Sequence, residues 1–245
     1  AESALRGRTA GLLTLITARE MNLAYQWSVR EEAARVAGVE PAVIDVVRHN
    51  QRVDGLSRDD ALLVDFGRQL FRNRHVRSET FAALVDRFGR QGAFDAIMLL
   101  AYPAMAVVLE RAVDQQALAS SSAAALPRND NVGTPTGRPG EFVALAARPP
   151  LPSDVHEDSY YRFALLKRAE LDGRARAIFD RVVGADRDTT PRGPVGMTFL
   201  SAELVEPVQA INTALRTNGA VGMRLAEVVI AVTRREMTSE RSRST

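Results

Sequence analysis

The stretch AREMNLAYQWSVREEAARVAG, residues 18–38, decides the fold class of this chain. Its apolar residues recur at helical spacing, arginines and acids fall between them, and Gly38 is a stop signal. It also holds the single tryptophan of the chain, Trp27, between Tyr25 and Arg30. The pattern predicts an amphipathic helix whose aromatic residues either form part of a functional site or pack in an ordinary helical core.

The same period predicts helices on both sides of this stretch, and no segment shows the alternation of a β-strand. Pro41 is placed to open a helix, and Ser57 is placed to cap the next one with Asp60 three residues later. We expect a kink at Pro103 in a long apolar helix. The predicted helices cover residues 5–21, 25–37, 41–49, a segment after Ser57 with apolar positions 62–71, then 78–88, 91–117, 159–183, 201–216 and 219–237. The fold class is therefore all-α.

Composition divides the chain into four parts. Residues 1–117 are predicted to form a helical domain, and residues 118–152 are rich in Ser, Gly and Pro and are predicted to be a linker. Residues 153–237 are predicted to be a second helical segment. Residues 238–245 are a polar tail that we expect to be flexible.

Composition also excludes several classes of function. The chain has no cysteine, so disulfides, thiolate metal sites and thiol redox chemistry are excluded. Its three histidines, His49, His75 and His156, lie far apart without ligand spacing, and we expect no metal or other cofactor. Arginines alternate with acids as on solvated helix faces, so nucleic acid is not the expected partner. No apolar run approaches the ~20 residues of a membrane span, nor is there a secretory signal pattern, so a cytoplasmic protein is expected.

The two ends of the chain share a repeat. Residues 8–21, RTAGLLTLITAREM, align without gaps with residues 224–237, RLAEVVIAVTRREM. Identical residues recur at six positions, including the closing Arg-Glu-Met, and the intervening apolar pairs stay apolar. The alignment predicts a duplicated helix, in the order expected of a tandem array cut at both ends or of a permuted unit.

These features resemble the carboxymuconolactone decarboxylase family, whose relatives include the alkyl hydroperoxidase D proteins. The resemblance is carried by an Arg and an apolar helix, then Ala-Arg, Tyr-x-Trp and an Ala-rich helix ending in Ala-Gly. Residues 1–117 are similar to the C-terminal two-thirds of that domain, and residues 153–237 to its N-terminal part. The resemblance implies a helical bundle of the alkyl hydroperoxidase D type with a partial second repeat.

The chain departs from the family at its chemical groups. Many cysteine-free members carry Tyr-Glu-Trp-x-x-His where residues 25–30 read Tyr-Gln-Trp-Ser-Val-Arg. The family's Glu on the preceding helix falls on Gly11 in the first copy of the repeat and on Glu227 in the second. A decarboxylase needs a proton donor whose pKa lies near the working pH, and an arginine cannot supply it. Arginine can still hold a carboxylate by a two-pronged hydrogen bond.

The resemblance therefore implies a set of candidate residues. The catalytic candidates are Glu227, Arg30 and Tyr25, and the candidates for substrate binding are Trp27, Gln26, Arg224 and Tyr102. Arg30 could alternatively form a surface ion pair with Glu31 or Asp45, and each aromatic could be core or interface packing instead.

Two functions remain open from the sequence. The first is a cofactor-free, decarboxylase-like lyase acting on a small carboxylated or lactone substrate, without thiol peroxidase activity. The second is a catalytically inactive, oligomeric member that binds a ligand or serves a structural role. Both predict a homo-oligomer, as a dimer, trimer or hexamer, because the apolar helix faces need cover from another chain or from the chain's own second segment.

Overall fold

The computed structural model describes residues 5, 7–112, 126–127, 151–217 and 233. The chain divides into two compact units, residues 1–134 and 135–245, and each unit is described separately below. The boundary falls within the segment predicted to be a linker. The repeat copy at 224–237, apart from Thr233, and the tail at 238–245 lie outside the described residues.

Most of the described residues are helical, and none of them forms a named strand, as an all-α chain requires. An isolated antiparallel bridge joins Lys167 to Thr189. The helices of the first unit are α1 (Arg8–Glu20), α2 (Ala24–Val36), α3 (Pro41–Arg48), α4 (Arg58–Arg72) and α5 (Ser78–Ala112).

Helix α1 is the centre of the first unit, because it contacts all four of the other helices. Its second half is buried on every side, as expected for a helix surrounded by partners. Gly67 of α4 makes this packing possible, since a Cβ there would lie 2.4 Å from Ile16 Cγ2. Gly11 has a similar role toward α2, since a Cβ there would lie 3.2 Å from the Cα of Ala34.

The helix boundaries follow the local signals predicted from the sequence. Gly38, with φ +91°, adopts a left-handed conformation after α2, and Pro41 is the first residue of α3. The Ser57 Oγ accepts a hydrogen bond from the backbone N–H of Asp60 at 3.2 Å, as the predicted cap requires.

Helix α5 departs from helical backbone angles at Gly89, which has φ +71°. This break coincides with the predicted boundary between helices at 78–88 and 91–117. Pro103 lies inside α5 within helical backbone, and the kink expected there stays a prediction. Because glycine adopts positive φ at little cost, the chain bends at Gly89.

The second unit is built from short helices between residues 151 and 217. They are a 3₁₀ turn (Arg168–Glu170), α6 (Gly173–Phe179), a π turn (Asp180–Gly184), α7 (Pro194–Thr198), a 3₁₀ turn (Phe199–Leu204) and α8 (Val205–Thr217). Phe179 and Phe199 meet edge to face, with ring centroids 5.7 Å apart, in the centre of its core.

The helix predicted for residues 159–183 is wrong over its first part, since residues 159–167 are irregular. Backbone groups here bond to a distant segment instead of to the next turn. The Thr190 N–H donates to the Leu166 carbonyl at 2.9 Å, and the Arg168 N–H donates to the Asp188 carbonyl at 2.8 Å. Long-range pairing therefore takes up the hydrogen bonds that a helix would have used.

Candidate functional site

The predicted Tyr-x-Trp site lies in the first two turns of α2. Trp27 is among the most buried large side chains, with 1% of its surface exposed. Tyr25 and Gln26 are half-buried. Residues two apart on a helix point in different directions, so Tyr25 and Trp27 do not share one face.

The indole of Trp27 is held by an ion-paired carboxylate. Its Nε1 donates a hydrogen bond to Glu31 Oε2 at 2.8 Å, one turn along the helix. Arg35 donates to the other oxygen, Oε1, at 2.7 Å, and Arg48 of α3 forms an ion pair with the same oxygen. The Arg48 guanidinium also lies over the Trp27 ring, 5.5 Å from its centroid. We name these four residues the Glu31 clamp.

Electrostatics in the clamp favour the charged form of Glu31. Burial opposes ionisation of this carboxyl, but hydrogen bonds from Arg48, Arg35 and Trp27 outweigh it. The net effect lowers the pKa of Glu31 below its ordinary value. At neutral pH the group is a carboxylate without a proton to donate.

Arg30 does not take part in this clamp. Its Nε donates to the Gln26 Oε1 at 3.2 Å, one turn earlier on the same helix. The ion pairs considered for it, with Glu31 or with Asp45, are both made by Arg48, whose Nη1 lies 3.4 Å from Asp45 Oδ1. The structure thus joins the predicted residues Gln26 and Arg30 to each other, in a partly exposed pair.

Of the remaining predicted residues, Tyr102 lies in the part of the chain that the structure describes. Tyr102 of α5 has 64% of its surface exposed, so it does not share an enclosed pocket with the buried indole. Glu227 and Arg224 lie outside the described residues. Gly11, where the resemblance places an acid in the first copy, is a close contact between α1 and α2 with little room for a side chain.

Sequence reasoning missed Arg48, which is the key cation of the clamp. A signal was present, because Arg48 comes four residues after Ile44 and so falls on the apolar face of α3. Arg48 is 8% exposed and Ile44 is fully buried. An arginine on the buried face of an amphipathic helix requires an anionic partner, and Glu31 is that partner.

A groove of about 540 Å³ lies in the second unit, between the π turn and α8. Arg181 and Glu206 line it and form an ion pair with each other. Among the described residues, none of those predicted for the site lines this groove.

Within the described ranges, no histidines and carboxylates gather in a group of three or more that could hold a metal ion. No helix in the part of the chain that the structure describes has the length and apolar character needed to cross a membrane. Comparison with protein-family models, with curated proteins and with solved structures finds no match to this chain.

Replacing Glu31 with Gln tests the clamp. The change leaves the buried Arg48 with only the exposed Asp45, at 3.4 Å, as an anion among the described residues, and breaking a buried ion pair costs about 3 kcal/mol. We expect the free energy of unfolding at pH 7 to fall by about that amount. Urea unfolding followed by the fluorescence of Trp27, the single tryptophan, measures it.

The pH dependence follows from the lowered pKa of Glu31. A depressed folded-state pKa gives a contribution that is full above the ordinary value of 4.5 and is lost as pH falls through the folded value. The difference between wild type and Glu31→Gln should therefore shrink in acid below pH 4.5. Glu32→Gln, at the exposed neighbouring position, is the matched control and should change stability little. Equal stability of wild type and Glu31→Gln at pH 7 would contradict the clamp.

Proposed function

We propose that this chain is a catalytically inactive relative of the carboxymuconolactone decarboxylases, with a bundle of the alkyl hydroperoxidase D type and a partial second repeat. In this proposal it binds a small carboxylated molecule without converting it, and it assembles as a homo-oligomer. The fold proposal is supported by the all-α first unit and by the motif order Ala-Arg, Tyr-x-Trp and Ala-Gly.

The Glu31 clamp is the observation that carries the proposal. Decarboxylation of a lactone acid leaves a carbanion-like intermediate that needs a proton from a group with a pKa near the working pH. The carboxyl closest to the Trp27 indole is held as an anion by Arg48 and Arg35. The side chain that would face a substrate is therefore already satisfied by the protein.

The packing at Gly11 supports the same proposal. A Glu at this position would bring a Cβ to 3.2 Å from the Cα of Ala34 and 3.5 Å from Val39 Cγ2. A side chain at position 11 would therefore require the α1–α2 contact to shift by a few tenths of an ångström, which disfavours an acid there.

A cofactor-free lyase acting on a small carboxylated or lactone substrate is the second candidate. The partly exposed pair of Gln26 and Arg30 favours it, because a guanidinium beside an amide can hold a carboxylate. Tyr25 lies one residue before Gln26, at the same end of α2. Glu227, with Arg224, would supply the acid in this reading.

The proposed homo-oligomer is supported by an apolar stripe on α5. Tyr102, Met105, Val108 and Leu109 recur at helical spacing and are 64%, 46%, 63% and 64% exposed, respectively. Exposed apolar residues at this spacing form a helix face that a second copy of the chain can cover.

Carboxymuconolactone is the substrate that tests the function. We expect binding without release of carbon dioxide, because the clamp leaves the Trp27 region without a proton donor. Isothermal titration measures the binding, and carbon dioxide release is followed beside an active decarboxylase of the family as positive control. Turnover that is lost in both Arg30→Ala and Glu227→Gln, but kept in Arg52→Ala, would establish the second candidate instead.

Substitution of Leu109 by Asp tests the proposed assembly. A charge at the C-terminal end of the α5 stripe must be desolvated when two copies meet, so we expect the oligomer to dissociate. Light scattering coupled to size exclusion measures the molecular mass. Val36→Asp places the same charge at an apolar α2 position that is 80% exposed and should leave the mass unchanged. A monomeric wild-type protein would contradict the proposal.

A further inference from the structure

Three arginines surround one glutamate where α1 and α4 end. Arg19 and Glu20 close α1, and Arg68 and Arg72 lie in the last two turns of α4. Arg19 and Glu20 are 2% and 4% exposed, whereas the side chains of Arg68 and Arg72 are 13% and 22% exposed. We name Arg19, Arg68, Arg72 and Glu20 the arginine cluster; it reaches the surface through its two α4 members.

Glu20 is fully engaged by one of the three arginines. Arg72 donates from Nε and from Nη2 to the two carboxylate oxygens, both at 2.6 Å. The same Nη2 also donates to Asn50 Oδ1 at 2.8 Å. Arg72 and Glu20 thus form a two-pronged ion pair. The Glu20 carboxylate therefore has little capacity left to accept hydrogen bonds from the other two guanidinium groups.

Arg68 and Arg19 are therefore held mainly by neutral groups. Arg68 Nε lies 3.9 Å from Glu20 Oε1, and its Nη1 donates to the Gln51 carbonyl at 2.9 Å. Arg19 donates from Nη1 to the carbonyl of Pro127. Arg19 Nε is buried and has no hydrogen-bond partner among the described residues. A buried charged donor without an acceptor is expensive, and Arg19 is nine-tenths buried or more.

Charge in the cluster is unbalanced. Three guanidinium groups face one carboxylate, an excess of two positive charges. Asp65 also attracts Arg68 electrostatically, and counting it still leaves one positive charge. Burial lowers the pKa of Arg68, and the charges of Arg72 and Arg19 lower it further. The helix ends supply roughly half a negative charge each, but that dipole gives Arg19 Nε no acceptor.

We propose that the arginine cluster binds a small oxyanion, a carboxylate or a phosphate group. Guanidinium forks bind both groups through paired hydrogen bonds, and an anion here would offset the excess charge and reach the unpaired Arg19 donor. Arg68 and Arg72 form its entrance. The inference deepens the proposed function by giving the ligand a site, and rests on that function only for a carboxylate as the natural ligand.

Modification of wild-type protein by phenylglyoxal, which reacts with guanidinium groups, tests the site without any mutation. Sodium succinate and inorganic phosphate are the probes, with sodium chloride at equal ionic strength as reference. We expect modification of Arg68 and Arg72 to slow about tenfold when a probe is tenfold above its Kd, by mass action. Peptide mass spectrometry reads each position, and Arg52, whose side chain is 89% exposed, should react at an unchanged rate.

The outcomes separate this inference from the proposed function. Protection of Arg68 and Arg72 by succinate supports both, and protection by phosphate alone supports the site but not a carboxylate ligand. Protection of Arg30 in place of the cluster overturns the site and leaves the proposed function standing. No protection of any arginine by either probe overturns both.

A matched pair of variants gives a second readout. Arg68→Gln removes one fork at the entrance, whereas Arg58→Gln removes the same charge from an exposed position at the start of α4. In calorimetric titration with the protecting probe, we expect affinity to fall at least tenfold in Arg68→Gln and to stay at the wild-type value in Arg58→Gln. An equal loss of affinity in the two variants would show that the probe is attracted by overall positive charge, and would overturn the site.

Discussion

The complete burial of the second half of α1 constrains the rest of the first unit. This segment carries apolar residues on all sides and ends in Arg19 and Glu20, so each neighbouring helix must present both an apolar surface and a charge partner. Gly67 allows α4 to approach closely, and Arg72 of the same helix neutralises Glu20. Breaking one partner of such a pair leaves a charge in the interior, which is why these contacts fix the packing.

The same need of a buried charge for a partner applies to the region around Trp27. Glu31 is buried, and its charge is stabilised by Arg48 from α3 together with Arg35 and the Trp27 indole. The ion pair and the indole hydrogen bond together satisfy the Glu31 carboxylate within the protein. Among the described residues of the first unit, the two buried glutamates, Glu20 and Glu31, are thus both bound to arginine.

Much of the first unit could be predicted from the sequence, because its signals are local. Gly38, Pro41 and Ser57 determine helix ends through backbone geometry and capping, which need no tertiary information. The irregular start of the second unit could not be predicted, because residues 166–168 bond to 188–190 and no local pattern reveals that pairing. The break in α5 at Gly89 agreed with the predicted boundary between two helices.

The site was predicted only in part, for a physical reason. Periodicity places Trp27 and Arg30 on α2, but it does not say which arginine of another helix will reach Glu31. Arg48 does so from α3, whereas Arg30 bonds with Gln26 on its own helix. Charge partners between helices depend on tertiary geometry, which the sequence pattern does not specify.

The ionisation of Glu31 tests the account most directly. Carbon-13 NMR of the Glu31 side-chain carboxyl, followed from pH 8 to pH 3, reports its protonation state. The account predicts a carboxylate that persists through neutral pH and titrates only below its ordinary value of 4.5. Titration near neutral pH would reveal a poised acid beside Trp27 and would contradict the claim that this position is inert.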